Sequence, residues 1–265
     1  MAPGSLLAEI KVLCGYLHFG ADTHRSFIGT TDCKDEEADT LKHRRITGRI
    51  TAAALSAVMG CSGAFLYSAP PAYAAGYERV NGYYQMLDGT VIDGVVARGI
   101  DVSRWQGNID WKQVKKSDID FAFVRISYGL THEDYTYDEN MTNAELAGVP
   151  TGTYVYSTAL STTTALKEAQ LAISKMQGYK VSYPVVYDLE YAKASKLSAK
   201  TVSEMALTFC NEVRRAGYYP MVYCNTNWYD NYIDWSLLSG VDVWIARYGD
   251  TIQAPDKERY NYTIW

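Results

Sequence analysis

Pro184-Val185-Val186-Tyr187-Asp188-Leu189-Glu190 reads as one buried strand that ends in acid. Its apolar and aromatic residues run on without polar alternation, the pattern of a strand covered on both faces. Residues i and i+2 of a strand point to one side. Asp188 and Glu190 therefore share a side, about 6.6 Å apart along the strand.

The same rhythm extends in both directions. Towards the C-terminus, residues 198–216 read as a helix opened by a Ser198 cap and stopped by Gly217. Val202, Met205, Ala206, Phe209, Cys210 and Val213 recur in steps of three and four, which predicts one buried stripe. Strand patterns follow at 219–225, 242–248 and 260–265, with a less regular helix at 228–238. Towards the N-terminus lie a helix at 162–177 and a strand at 152–158. Before them come a helix at 138–147 closed by Gly148-Val149-Pro150, a strand at 121–127, a short helix at 110–116 and a strand at 99–103.

Strands alternating with helices at this spacing mean βα units and a parallel sheet. At least six units with no dinucleotide fingerprint favour an α/β fold of the TIM-like barrel type over an open doubly wound sheet. In such barrels the chemistry sits at the C-terminal strand ends. That rule selects Asp101, Arg125, Tyr128, Tyr156, Asp188, Glu190, Tyr223, Trp244 and Tyr248.

Composition narrows the chemistry. The chain has 265 residues and a formal net charge of −5, an acidic balance that argues against nucleic acid. No Walker-type loop, zinc spacing or His-Glu-x-x-His occurs, and no cofactor or metal is expected. Of four His, only His132 follows residue 50, so a His-based nucleophilic triad has one candidate. The excess is aromatic: all six Trp and most of the 23 Tyr follow residue 75. Two close carboxylates split their pKa values, giving a neutral acid and an anion at one pH, as glycoside hydrolysis requires. A solvated Asp-x-Glu, or magnesium or calcium ligation, is the competing reading. Flat Tyr and Trp faces with polar tips favour a sugar. Tyr179, Tyr183, Tyr218 and Tyr232 are expected in the core.

The first 74 residues carry a different signal. Lys42-His43-Arg44-Arg45, the uncharged run 50–66 and Ala72-Tyr73-Ala74 resemble a secretory signal spanning 41–74, cut after Ala74. An uncleaved membrane anchor is the alternative, although 17 apolar residues fall short of the about 20 that span a bilayer. Residues 1–40 precede that signal and are expected not to belong to the native chain. Residues 75–96 read as a lead-in or linker, and 97–265 as the working domain. The mature protein is expected outside the cell or on its wall, as a monomer free of the membrane. It would keep two cysteines, Cys210 and Cys224, whose heights on a helix and the next strand disfavour a disulfide.

The segments beginning Gly99-Ile100-Asp101-Val102-Ser103, with Gln106-Gly107 and Asp110-Trp111, resemble the opening of glycoside hydrolase family 25, the Chalaropsis-type lysozymes. The resemblance continues through Phe121–Arg125, Asp138, Asn140, Asn143, Ala147-Gly148-Val149-Pro150, Tyr154 and Tyr156. It includes Pro184–Glu190, Gly217-Tyr218-Tyr219-Pro220, Val222-Tyr223 and Val243-Trp244-Ile245-Ala246-Arg247-Tyr248. It implies a modified β/α barrel that hydrolyses the β-1,4 bond between N-acetylmuramic acid and N-acetylglucosamine in peptidoglycan glycan strands. By motif position Glu190 corresponds to the general acid. Asp188 corresponds to the carboxylate that stabilises the charged intermediate or assists the substrate's acetamido group, and Asp101 to a further rim carboxylate. Tyr154, Tyr156, Tyr187, Tyr223, Trp244, Arg125 and Gln106 are the candidates for holding the sugar. The family pattern continues past an Ile-Trp-Gln step, whereas this sequence stops at Ile264-Trp265, so the barrel is expected to lack its last strand. A glycan-binding module without turnover and a metal-dependent barrel phosphodiesterase are the competing functions.

Overall fold

The computed structural model describes residues 11–14, 77–86, 88–248 and 254–265. The signal read at 41–74 lies outside these residues, and of residues 1–40 only 11–14 are described. Strand β1 (Lys11–Cys14) lies parallel to β4 (Val95–Val102). The sheet then runs through β5 (Phe121–Tyr128), β7 (Thr151–Tyr156), β8 (Val181–Asp188), β9 (Pro220–Asn225) and β10 (Asp242–Ala246), with every neighbour parallel. Short β6 (His132–Glu133) folds back antiparallel on β5. The connections are α1 (Trp111–Lys116), α2 (Tyr137–Ala147), α3 (Thr162–Met176), α4 (Ala199–Arg215) and α5 (Thr226–Asn231). This is the parallel α/β architecture that the strand-helix rhythm predicts.

Short polar side chains cap the starts of α3, α4 and the short α5, whereas Thr136 at the start of α2 makes no such bond. Ser161 accepts from Thr164 N–H, Ser198 from Thr201 N–H and Asn225 from Trp228 N–H. Gly148, at φ 72°, ends α2 in the left-handed conformation. The stripe on α4 is fully buried, from Val202 to Val213.

Both faces of the sheet are covered. Ile100, Val102, Ala122, Val124, Val155, Val185, Tyr187, Leu189, Val222, Cys224, Val243 and Ile245 pack outward under the helices. The alternate residues Ala97, Phe121, Phe123, Val186, Met221 and Trp244 fill the concave interior, with Tyr154, Tyr183 and Tyr223 against them. Phe121 stacks on Tyr183 and Phe123 on Trp244, at 4.4 and 4.9 Å between ring centroids. Rings of this size fit because Gly99 and Gly152 leave room for them. A Cβ on Gly152 would meet both the Phe123 ring and the Pro184 carbonyl oxygen at 2.5 Å. Overpacking of this kind costs about 1–3 kcal/mol. Gly152→Ala is therefore expected to lower the unfolding free energy by that amount, and an unchanged unfolding free energy would show that the strands spread freely.

Three features depart from the sequence reading. Residues 75–96 are not a bare linker, because β2 (Tyr77–Val80) and β3 (Tyr83–Met86) form an antiparallel hairpin. The Tyr84 hydroxyl donates to Asp120 at 3.0 Å, Arg79 pairs with Asp118 at 3.2 Å, and Tyr84 is buried with Trp265 against it. The first barrel strand starts at Val95, four residues early. Residues 260–265 contribute a single parallel bridge, Ile264 to Trp244, rather than a strand. Cys210 and Cys224 are both buried free thiols, as their heights suggested.

Candidate active site

Asp101, Asp188 and Glu190 meet at the C-terminal rim. Parity places them on the concave side, since Ile100, Val102, Tyr187 and Leu189 all face the helices. Asp188 ends β8 and is 6% exposed. Glu190 lies two residues further, where Leu189 N–H still bonds to the Tyr223 carbonyl and prolongs the ladder. Burial, followed by the negative charge of Asp101, pushes the Glu190 carboxyl up to about 7. A carboxyl near 7 is a proton donor at neutral pH.

Two phenols close the cluster, Tyr223 on β9 and Tyr248 two residues past the end of β10. The Tyr223 and Tyr248 hydroxyls lie 2.8 Å apart. Burial raises Tyr223 well above its ordinary value, and the charges of Glu190 and Asp188 add to the shift. Tyr248 is 74% exposed as a residue, with its hydroxyl held against that of Tyr223. Enclosure of that hydroxyl, and then the charges of Glu190, Asp188 and Asp101, push it up to about 12. Both phenols therefore stay neutral, and with one proton shared between them the other remains to donate to a substrate or a carboxylate.

Tyr156 sits beside Asp188 in register and stacks on Tyr128 at 4.7 Å. Tyr128 meets the edge of Tyr191, continuing an aromatic wall along the rim. Tyr154 is half-buried one inward position below. Trp244, 7% exposed, is wedged between Phe123 and Tyr223 and forms the floor.

Three sugar-binding candidates are used otherwise. Tyr187 faces away from the site: it is fully buried, stacks on Phe209 at 4.2 Å and bonds Glu168 through its hydroxyl. The Arg125 guanidinium is buried against Asp134, with Nε to Oδ2 at 2.8 Å. Gln106 Oε1 accepts from Ser103 N–H at 2.7 Å in a capping box that shapes the loop after β4.

Asp134 and Glu168 are the residues that sequence reasoning missed. Burial alone would raise Asp134. The Arg104 N–H, the Thr136 hydroxyl and the Arg125 charge outweigh it and hold the carboxyl below its ordinary value. The chain of bonds continues from Thr136 to Asn140 and on to the Trp111 indole. Asp134 thereby fastens Trp105, which is 67% exposed beside the rim, through its neighbour's backbone. Nothing in the local sequence marks Asp134. Glu168 does carry a mark, since it interrupts the stripe Ala165, Ala169, Ala172 and Met176 with a charge.

The sequence model of glycosyl hydrolases family 25 matches residues 100–265, which include Asp101, Asp188, Glu190 and the aromatic rim. The chain belongs to glycosyl hydrolases family 25. Within the family it is 28% identical over 152 residues to an autolytic lysozyme of Clostridium acetobutylicum, covering 57% of this chain and 45% of that protein. It is 24% identical over 178 residues to lysozyme M1 of Streptomyces globisporus, covering 63% and 60%. The chain thus spans about half the length of the curated relatives it matches. Among solved structures, the modular autolysin LytC of Streptococcus pneumoniae superposes with a TM-score of 0.58 at 25% identity, covering 67% of this chain and 44% of that one. The CTP1L endolysin gives 0.53 at 26% identity, covering 61% and 56%.

Proposed function

We propose that this family 25 chain is a muramidase that cleaves the β-1,4 bond between N-acetylmuramic acid and N-acetylglucosamine in peptidoglycan. The observation that carries the reading is the Glu190 carboxyl, lifted to about 7 by burial and by Asp101 at the barrel rim. Glu190 donates its proton to the leaving glycosidic oxygen. Asp188 stabilises the positive charge that develops at the anomeric carbon or on the acetamido-derived ring. Asp101 keeps the proton on Glu190 until it is needed. Tyr156 and Tyr128 give the sugar an apolar face, and the Tyr223–Tyr248 pair supplies a neutral donor. A structure of the autolysin LytC is described in complex with a synthetic peptidoglycan ligand, which supports the same polymer here. The basic, uncharged and small-residue series at 41–74 supports export to the wall.

The test is product analysis on purified peptidoglycan. New reducing ends should fall on muramic acid, at a rate that EDTA leaves unchanged. Ends on glucosamine would reassign the bond. Loss of cleavage in EDTA, restored by a divalent metal, would favour a metal-dependent hydrolase. Sedimentation with the wall without new ends would indicate a binding module.

A further inference from the structure

Glu168 is fully buried on α3, under the ends of β7 and β8, and the mechanism above makes no use of it. Its Oε2 lies 2.8 Å from both the Tyr187 hydroxyl and Ser157 Oγ, and those two oxygens are 2.7 Å apart. Its Oε1 accepts from Thr158 N–H at 3.0 Å. Ser157 Oγ also accepts from Ala159 N–H at 3.2 Å. The two hydroxyls supply two protons for the three edges of this oxygen triangle, and one carboxylate gathers both strand ends.

The two ends so gathered flank Asp188. Tyr187 precedes it in the chain, and Ser157 N–H donates to the Asp188 carbonyl at 3.0 Å. Phe209 presses on the Tyr187 ring from α4, so the ring is held by stacking and its hydroxyl by Glu168. Rotation of the backbone at 187–188 would swing the Asp188 side chain across the rim. The clamp blocks that rotation from both sides of the peptide.

We propose that Glu168 is a positioning residue for the site, fixing the backbone around Asp188 through Tyr187 and Ser157 from the helical side of the sheet. This rests on the muramidase reading of Asp188. Such supporting groups hold reacting groups within about 0.5 Å of productive geometry. Removing comparable outer partners in other sites lowers activity about 10–100-fold. Burial, the largest influence, raises the Glu168 carboxyl, and the Thr158 N–H, the Tyr187 and Ser157 hydroxyls and the Ala159 N–H oppose it. These donors are what a buried acid in a helix needs to persist.

The experiment compares the full chain with Glu168→Gln, Glu168→Ala, Tyr187→Phe and the double variant Glu168→Ala/Tyr187→Phe. Rates are taken on purified peptidoglycan at a temperature where each variant is fully folded. Glu168→Ala is expected to lower kcat about 10–100-fold with KM within about twofold. Glu168→Gln, which keeps the shape and an acceptor oxygen, should recover part of that loss. Tyr187→Phe should lose less than Glu168→Ala. The double variant should be no worse than Glu168→Ala alone, because both substitutions cut one connection. A wild-type kcat in folded Glu168→Ala or Glu168→Gln overturns the proposal, as does a loss that appears in KM alone.

Amide exchange gives a second readout that needs no turnover. The Ser157 N–H should exchange at least about tenfold faster in Glu168→Gln, while Phe209 on α4 keeps its wild-type rate. If wild-type protein leaves peptidoglycan intact, the muramidase reading has failed, and the exchange data alone decide on the clamp. An unchanged Ser157 rate then overturns it. Should Glu168→Ala fail to fold, the isosteric Glu168→Gln carries both measurements.

Discussion

Glu190→Gln is expected to reduce peptidoglycan cleavage about 10²–10⁴-fold while leaving glycan binding near its wild-type level. The amide fills the same space and can still hydrogen-bond, yet has no proton to give. A diagnostic follows from the leaving group. An activated aryl glycoside departs without protonation, so on such a substrate the variant should recover most of its rate. The descending limb of the wild-type pH profile, set by a Glu190 carboxyl at about 7, should vanish in the variant. The same substitution should also raise stability at alkaline pH. Folded Glu190 holds its proton above the ordinary 4.5 of an unfolded chain, so its contribution is complete below about 4.5 and is lost as pH rises through about 7. That difference corresponds to about 3 kcal/mol. Glu190→Gln should therefore unfold later than wild type at pH 8 and at the same midpoint near pH 4. Wild-type turnover in the variant would place the acid elsewhere on the rim.

Asp188→Asn is expected to cost about 10²–10³-fold in kcat, by analogy with the removal of one preorganised electrostatic group. Here the activated aryl glycoside should bring no relief, because positive charge develops at the sugar whichever group departs. That contrast tests the proposed division of labour, in which Glu190 serves the leaving oxygen and Asp188 the ring. The comparison is read from kcat for both variants on both substrates. Recovery of Asp188→Asn on the activated substrate would exchange the two roles.

The site was legible in the sequence where a rule of parity or period was enough. Asp188 and Glu190 were placed together by the two-residue repeat of a strand, and both face the rim. The α4 stripe followed from steps of three and four, and all six of its residues are buried. The same parity rule puts Tyr187 on the opposite face, so its assignment to the sugar contradicted the reasoning applied to its neighbours. Gln106 was likewise readable as the fourth member of a capping box beginning at Ser103. The partner of Arg125 was beyond reach, because Asp134 arrives from a turn outside the strand-helix repeat. Glu168 announced itself as a charge on an apolar stripe, but its partners lie 10 and 19 residues away on strand ends that only the assembled sheet brings together. The hairpin before β4 was hidden because its strands are four residues each and its anchor, Tyr84 on Asp120, is 36 positions distant.

Cys210 and Cys224 have a use unrelated to the wall. Both are fully buried, one on α4 and the other on β9. Burial pushes the Cys210 thiol up to about 12 and Cys224 well above its ordinary value. Only the thiolate attacks a disulfide or alkylating reagent, so neither sulfur reacts while the native packing stands. In a chain starting at Ala75 they are the only sulfhydryls. The rate at which a coloured disulfide reagent is consumed then becomes a clock for opening of the seam between helix and sheet. A single reporting cysteine, with the other replaced by alanine, would tell whether α4 peels away before β9 is reached or whether the two come apart together.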